Sequence, residues 1–216
     1  MNRTVQNIVT GIAKTMSVVL YPLFMPTYGM ICFMASLKTA ETGGVPWQVG
    51  LLCVCMTFVL TVLIPLTAIK ILIRRGKVSD LQIADAKERT VPYLYTICCF
   101  GFWCYFVTAI LHAPGYICAS AIGGTVALVA VMLINFKWKI SAHLTGMGGL
   151  IGGVMSYYLF GGGGSLVLPL ILIVVALGLM YARLWLNAHD PLQVIAGLLL
   201  GLCFTFIPNM IFAYAV

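Results

Sequence analysis

The sequence predicts an all-α integral membrane protein, a polytopic bundle of six or seven transmembrane helices. Hydrophobic residues fill 62% of its 216 positions and charged residues only 8%, and the mean hydropathy is +1.08. Soluble globular domains do not have this composition. The charged residues cluster between apolar runs of about 20 residues, the length that crosses a bilayer as a helix. We therefore interpret residues 1–216 as a single membrane domain.

Each apolar run is interpreted as one candidate span. The runs cover residues 11–36, 48–73, 91–112, 115–135, 142–160, 165–186 and 191–215. The first run contains Pro22 and Pro26, which are expected to kink it or make it re-entrant and so to leave six full spans. It has no small-residue cleavage site, and we interpret it as a retained helix rather than a signal peptide.

Small residues in the fifth run predict close helix packing. Gly148 and Gly152 lie four residues apart, and so do Gly149 and Gly153. Small residues at this spacing form a ridge on one helix face, which lets a neighbouring backbone approach closely.

The cysteines of this chain are expected to be packing residues. All eight lie inside apolar runs: Cys32, Cys53, Cys55, Cys98, Cys99, Cys104, Cys118 and Cys203. They form no Cys-x-x-Cys pairs with a matching partner, so neither a zinc site nor disulfides are expected. In a bilayer, cysteine serves mostly as a small apolar side chain.

The distribution of positive charge predicts the orientation. Of the twelve Lys and Arg residues, eleven lie on the side of the polar connections 74–90, 136–141 and 183–190, and only Lys38 lies opposite. The positive-inside rule places these connections in the cytoplasm. We expect a multi-pass protein of the plasma (inner) membrane. The net charge of +7 is thereby explained without a nucleic-acid partner.

Two histidines and two arginines share this side of the predicted bundle. His143 and His189 lie at the starts of spans, and Arg89 and Arg183 lie in or beside polar connections. Guanidinium groups bind phosphate through a planar fork of donors, and an imidazole can attack phosphorus or transfer a proton. Ser141 and the backbone amides at the start of the fifth run would add neutral donors. Each residue taken singly also suits a membrane surface, but together they favour a phosphate site.

Three motifs around these residues resemble the signatures of the type 2 phosphatidic acid phosphatase (PAP2) superfamily. Ala182-Arg183-x5-His189-x3-Gln193 is similar to the third signature, Ser-Arg-x5-His-x3-Asp. Residues 140–143, Ile-Ser-Ala-His, resemble the second signature, Pro-Ser-Gly-His. Arg89 and Pro92 resemble the end of the first, Lys-x6-Arg-Pro. The resemblance covers residues 74–202, which we take as the PAP2-like core.

The resemblance implies a role for each matching residue. His189 falls on the nucleophile, which forms a phosphohistidine intermediate, and His143 on the acid that protonates the leaving group. Arg89, Arg183 and Ser141 fall on phosphate-binding positions. The family fold is a helical bundle, its chemistry needs no metal or cofactor, and its membrane members remove phosphate from lipid phosphates or polyprenyl diphosphates.

The chain also departs from these signatures. Gln82 stands where the family has Lys, Ala142 replaces Gly, Ala182 replaces Ser, and Gln193 replaces the orienting Asp. Gln193 can accept a hydrogen bond from an imidazole, but it gives no charge support and is expected to tolerate either tautomer. In the Ser-His-Asp triad of serine proteases, replacing the acid by an amide costs about 10⁴ in turnover.

Local helix signals give Asp190 a different role. Asp190 before Pro191 is typical of an N-cap followed by proline at the first helical position. Gln193 would complete a capping box. We therefore interpret Asp190 as a cap, aimed away from the His189 ring, rather than as a substitute for the missing acid.

Three classes of function are compared. The leading hypothesis is an integral membrane lipid-phosphate phosphatase of the phosphatidate or polyprenyl-diphosphate type. The alternative is a catalytically impaired PAP2-like protein that binds or carries lipid phosphates without hydrolysis, which the altered signature positions favour. A prenyl transferase with magnesium at Asp80 and Asp85 is disfavoured because such enzymes need two acidic clusters. The expected partners are a membrane lipid phosphate and the bilayer; the sequence does not predict an oligomeric state.

Overall fold

The computed structural model describes residues 2–37, 46–81, 83, 85–161 and 165–215. Of the described residues, 84% are helical and none form strands. The helices are α1 (Arg3–Val19), α2 (Met25–Leu37), α3 (Trp47–Phe58), α4 (Ile64–Arg74), α5 (Thr90–Tyr105), α6 (Gly115–Asn135), α7 (Ala142–Phe160), α8 (Val167–Trp185) and α9 (Pro191–Ala215). The predicted all-α polytopic bundle is confirmed.

Five helical segments are long and apolar enough to cross a membrane. They are Trp47–Arg74, which joins α3 to α4, Lys87–Ile110, Gly115–Asn135, Val167–Trp185 and Pro191–Ala213. A bent pair, Arg3–Val19 with Pro22–Ser36, gives a sixth span if it is counted as one. Helix α7 is not among them, because its glycines and polar residues lower its hydropathy. The described residues therefore contain five or six candidate spans, where the sequence predicted six or seven.

The prolines of the first apolar run break it, as predicted. Helix α1 ends at Val19 and a 3-10 turn begins at Pro22, and the axes of the two helical pieces differ by 42°. Helix α1 packs against α8, where the Trp185 indole donates a hydrogen bond to the Thr10 hydroxyl at 3.1 Å. Helix α2 then descends along α7.

Glycines hold α7 directly against α9. A Cβ atom at Gly148 would collide with the backbone at Leu198, and one at Gly201 would collide with the Thr145 carbonyl. At Gly197, a Cβ atom would lie 2.6 Å from the Ser141 carbonyl oxygen. The Ser141 amide donates to the Gln193 carbonyl at 3.3 Å. The starts of the two helices are therefore in contact.

A larger side chain in this contact should destabilise the protein. We expect Gly201→Leu to lower the thermal midpoint in detergent by about 5 °C or more, because overpacking a tight core costs about 1–3 kcal/mol. The matched control is Gly101→Leu, since Gly101 is exposed and a Cβ there meets none of the described residues within 4 Å. Equal midpoints for the two variants would contradict the packing described.

Candidate functional site

A tight turn between α8 and α9 fixes Arg183 relative to His189. The Ala188 amide donates to the Arg183 carbonyl at 3.1 Å and the Asn187 amide to the Leu184 carbonyl at 3.0 Å, while Asn187 has φ of 49°. These bonds and the left-handed residue form a Schellman motif, a common helix ending. The chain then turns into α9 within a few residues, so both side chains lie at the same end of the bundle.

The start of α9 confirms the predicted N-cap. The Asp190 Oδ1 atom accepts a hydrogen bond from the Gln193 amide at 2.9 Å. In a capping box the Gln193 side chain would turn back to the Asp190 amide. Here it bonds instead to the Asp190 carboxylate and to His189.

One cavity brings together four of the predicted site residues. His143, His189, Arg89 and Arg183 all line it, and its volume is about 180 Å³. Each of the four is 8% exposed or less. Both histidines and both arginines therefore line one cavity. Their catalytic and binding roles stay predictions.

Arg183 is held by a residue of α1. Its Nη1 atom donates to the Ser17 hydroxyl at 3.2 Å, and that hydroxyl donates in turn to the Ala13 carbonyl at 2.9 Å. The Arg183 Nε atom is buried and has no hydrogen-bond partner among the described residues. A buried donor without a partner costs about 1–3 kcal/mol, so an acceptor arriving in the cavity would be favoured there.

Arg89 is held by the segment before α5. Its Nε atom donates to the Ile83 carbonyl at 2.8 Å, and Tyr93 lines the same cavity. Ile83 has φ of 44°, a strained conformation for a β-branched residue. The Asp80 carboxylate stabilises it by accepting the Ile83 amide at 2.8 Å.

The hydrogen bonds of His189 define its tautomer. Its Nδ1 atom lies 2.8 Å from the Gln193 Oε1 atom, and the Gln193 Nε2 atom donates to Asp190 Oδ2 at 2.7 Å. A carboxylate only accepts, so the amide nitrogen must face Asp190 and the amide oxygen must face the ring. His189 therefore carries its proton on Nδ1 and keeps a lone pair on Nε2. The expectation that Gln193 tolerates either tautomer is wrong for this arrangement.

The second histidine is anchored to a backbone carbonyl. His143 Nε2 lies 3.0 Å from the Ser17 carbonyl oxygen, which can only accept, so Nε2 is protonated. The edge-on ring of Tyr21 lies 5.5 Å away, centroid to centroid. The other ring nitrogen, Nδ1, therefore has a free lone pair. His143 can act as an acid toward a leaving group only after Nδ1 has bound a proton.

Ser141 borders the site without lining the cavity. It occupies the N-cap position of α7 but makes no side-chain cap with the described residues. Its side chain is fully buried, and its hydroxyl has no partner in the described part of the chain. The Ser141 backbone amide, which the sequence predicted as a phosphate donor, already donates to the Gln193 carbonyl. It is therefore not available to a ligand.

Sequence reasoning missed several residues of the site. Ser17, Tyr21 and Tyr93 are brought in by the fold; Tyr21 and Tyr93 line the cavity. Lys139 is half-buried, and burial followed by the neighbouring Arg89 and Arg183 lowers its pKa. Its position two residues before Ser141 is the sequence feature that could have predicted a third positive charge near the site.

Neither of the two lysines nearest to position 82 lines the cavity. Lys77 and Lys87 are exposed and are not among the cavity residues, while Gln82 lies outside the described residues. Over the described ranges, no group of three His, Cys, Asp or Glu side chains could hold a metal ion. All eight cysteines are free thiols.

Burial keeps His189 neutral. Desolvation lowers its pKa to about 4, and the positive charges of Arg183, Arg89 and Lys139 act in the same direction, whereas the hydrogen bond to Gln193 opposes them. At neutral pH the ring is unprotonated at Nε2, the form that a nucleophile requires.

This shift predicts acid sensitivity of the fold. The pKa of histidine in an unfolded chain is about 6.5, so the stability that the neutral ring contributes is complete above that pH and is lost as the pH falls toward 4. We expect the thermal midpoint in detergent to fall over this window and His189→Gln to flatten the fall. His112→Gln, at an exposed position, is the control; a wild-type pH dependence in His189→Gln would contradict a buried neutral ring.

The comparison with known families agrees with this part of the chain. The model of the PAP2 superfamily matches residues 120–215. The matched segment contains Ser141, His143, Arg183 and His189 and does not contain Arg89. No curated protein and no solved structure matches the chain significantly. The predicted PAP2 resemblance is confirmed through this segment.

Proposed function

We propose that this chain, whose residues 120–215 match the PAP2 superfamily, is an integral membrane lipid-phosphate phosphatase. The match supports phosphatase-type activity in general. The lipid substrate, of the phosphatidate or polyprenyl-diphosphate type, and the phosphohistidine mechanism are our proposal. The observation that carries it is an amphipathic cavity with two arginines and two histidines at one end and an apolar interior.

The interior of the cavity suits a hydrocarbon chain. Its walls include Met25, Met30, Phe33, Phe100, Trp103 and Ile117. Two polar side chains there, Thr96 and Thr205, donate to backbone carbonyls at 2.8 and 3.0 Å. From His143 to Gly153, which also lines the cavity, α7 rises about 15 Å. A phosphate at the histidines would therefore leave its chain inside the bundle.

The polar end supports phosphoryl transfer. In the substrate complex His143 takes a proton on Nδ1 from the lipid phosphate monoanion. The His189 Nε2 lone pair then attacks phosphorus, the bond to the leaving oxygen breaks, and that oxygen takes this proton from His143 Nδ1. Water then attacks the phosphohistidine, gives its proton back to His143 and releases phosphate. Arg89 and Arg183 stabilise the charge on the non-bridging oxygens, and the unpartnered Arg183 Nε is a donor that a bound phosphate would satisfy.

Phosphate release by the purified protein tests this proposal. We expect hydrolysis of a long-chain lipid phosphate and its loss, by about 10³-fold or more, in His189→Ala, because the covalent step is removed. The panel contains a phosphatidate, a polyprenyl monophosphate and a polyprenyl diphosphate. If none is hydrolysed while the wild type binds them and His189→Ala does not, the non-catalytic carrier becomes the better account.

A side chain placed in the cavity tests the position of the lipid chain. Gly124 lines the cavity, and a Cβ there meets none of the described atoms within 4 Å. We expect Gly124→Leu to raise KM for a long-chain substrate about tenfold, a loss of about 1.4 kcal/mol, and to leave a short-chain phosphate unaffected. Gly101→Leu, which faces outward, should match the wild type. Equal effects on long and short substrates would remove the lipid chain from this cavity.

We also propose that the site lies on the cytoplasmic side of the plasma (inner) membrane. The charge distribution supports it, since eleven of twelve Lys and Arg residues lie on that side. Ser79→Cys and Lys137→Cys occupy exposed loop positions. An impermeant maleimide should fail to label them in sealed right-side-out vesicles and should label them after permeabilisation, with the wild type giving the background of native cysteines. Labelling before permeabilisation would reverse the orientation.

A further inference from the structure

Both carboxylate oxygens of Asp190 are used at the start of α9. Oδ1 accepts the Gln193 amide at 2.9 Å, which is the helix cap, and Oδ2 accepts the Gln193 side-chain nitrogen at 2.7 Å. The other end of that side chain accepts from His189 Nδ1 at 2.8 Å. The three side chains therefore form one directed chain of hydrogen bonds that ends on the ring proposed as nucleophile.

We propose that Asp190 is a positioning residue that sets the tautomer of His189 through the Gln193 amide. This inference rests on the proposed function, in which His189 attacks phosphorus. Asp190 does not touch the ring. It acts by choosing which end of the amide faces the ring.

The physical basis is the difference between the two ends of an amide. If the Gln193 side chain flipped, its oxygen would face the Asp190 oxygen at hydrogen-bonding distance with no proton between them. Its nitrogen would then face His189 and require an acceptor at Nδ1, which would move the ring proton to Nε2. A protonated Nε2 has no lone pair for attack. The carboxylate excludes this arrangement because it can only accept.

This arrangement differs from a carboxylate placed directly on the ring. Asp190 is exposed, so its charge stays hydrated, and the neutral Gln193 stands between it and His189. The ring receives its orientation and tautomer from the chain of hydrogen bonds but no adjacent negative charge. This explains how glutamine can occupy position 193 in a site that depends on one tautomer.

The variant Asp190→Asn separates this role from capping. Asparagine caps helices about as well as aspartate, so its oxygen should keep the Gln193 backbone bond. Its NH₂ group then faces the Gln193 side chain, which should flip and present its nitrogen to His189. We expect kcat to fall about 10²-fold or more with little change in KM, in the direction of the tautomer effect known for the serine-protease triad.

The double variant Asp190→Asn with Gln193→Glu provides the rescue. The amide introduced at position 190 would donate to one oxygen of the carboxylate introduced at position 193. The other oxygen of that carboxylate would accept from His189 Nδ1, so that each hydrogen bond is retained. The negative charge moves from position 190 to direct contact with the ring. We expect kcat of the double variant to be about tenfold above the wild-type value. The reason is that the hydrogen bond from His189 Nδ1 to a carboxylate is charge-assisted and therefore stronger than one to a neutral amide.

Nitrogen-15 NMR of the histidine rings measures the tautomer without turnover. The wild type should show His189 protonated at Nδ1, Asp190→Asn should shift it toward Nε2, and the double variant should restore it; His189→Gln assigns the signal. An unchanged tautomer and rate in Asp190→Asn would reduce Asp190 to a cap and overturn the proposal. If the tautomer shifts as expected but the wild type releases no phosphate from any lipid, the positioning role stands and the phosphatase function fails.

Discussion

The close approach of α7 and α9 is the constraint on which the rest of the structure depends. Gly148 on α7 and Gly201 on α9 each face the backbone of the other helix with no room for a Cβ atom. This contact is what brings the Ser141 amide to the Gln193 carbonyl, and so places His143 and His189 on one cavity. Helices separated by ordinary side chains have axes about 8–10 Å apart, and an added layer at this contact would move the two imidazoles away from each other. The glycines that lower the hydropathy of α7 as a span are the same residues that assemble the site.

The second constraint is the way the buried cations are held. Arg89 and Arg183 donate to neutral groups, the Ile83 carbonyl and the Ser17 hydroxyl. Neutral acceptors satisfy N–H groups while leaving the positive charge uncompensated, and Lys139 adds to it. Burying such charge is unfavourable by itself. An acidic side chain paired with each arginine would relieve that cost, but it would also occupy the donors that an incoming phosphate needs. The lowered pKa of His189 follows from its burial and from this positive charge beside it.

The parts of the site that the sequence predicted are local. The end of α8, the Asp190 cap and the single helical turn between His189 and Gln193 lie within eleven residues, where backbone hydrogen bonding and capping chemistry decide the structure. The contacts of Ser17 and Ile83 were not predictable in this way, because Ser17 reaches Arg183 across 166 positions and Ile83 depends on an unusual backbone conformation. The sequence predicted six or seven spans and the described residues contain five or six candidates; the difference is α7, a 19-residue helix whose glycines and polar residues lower its hydropathy. The orientation of the Gln193 amide was missed because the cap accounts for only one of the two Asp190 oxygens.

Ser17 shows why the site extends beyond the matched segment 120–215. Its hydroxyl accepts from Arg183 Nη1 and its carbonyl accepts from His143 Nε2, so one residue of α1 sets the position of a guanidinium and an imidazole together. The guanidinium is planar, and a phosphate is best bound along one of its edges by two donors. With Nη1 committed to Ser17, the Nε side of the Arg183 fork is the one left for a ligand, and Nε is the buried donor without a described partner. The N-terminal helix therefore selects the edge of Arg183 that a phosphate would meet, and this direction of approach also determines how the phosphorus would be presented to His189.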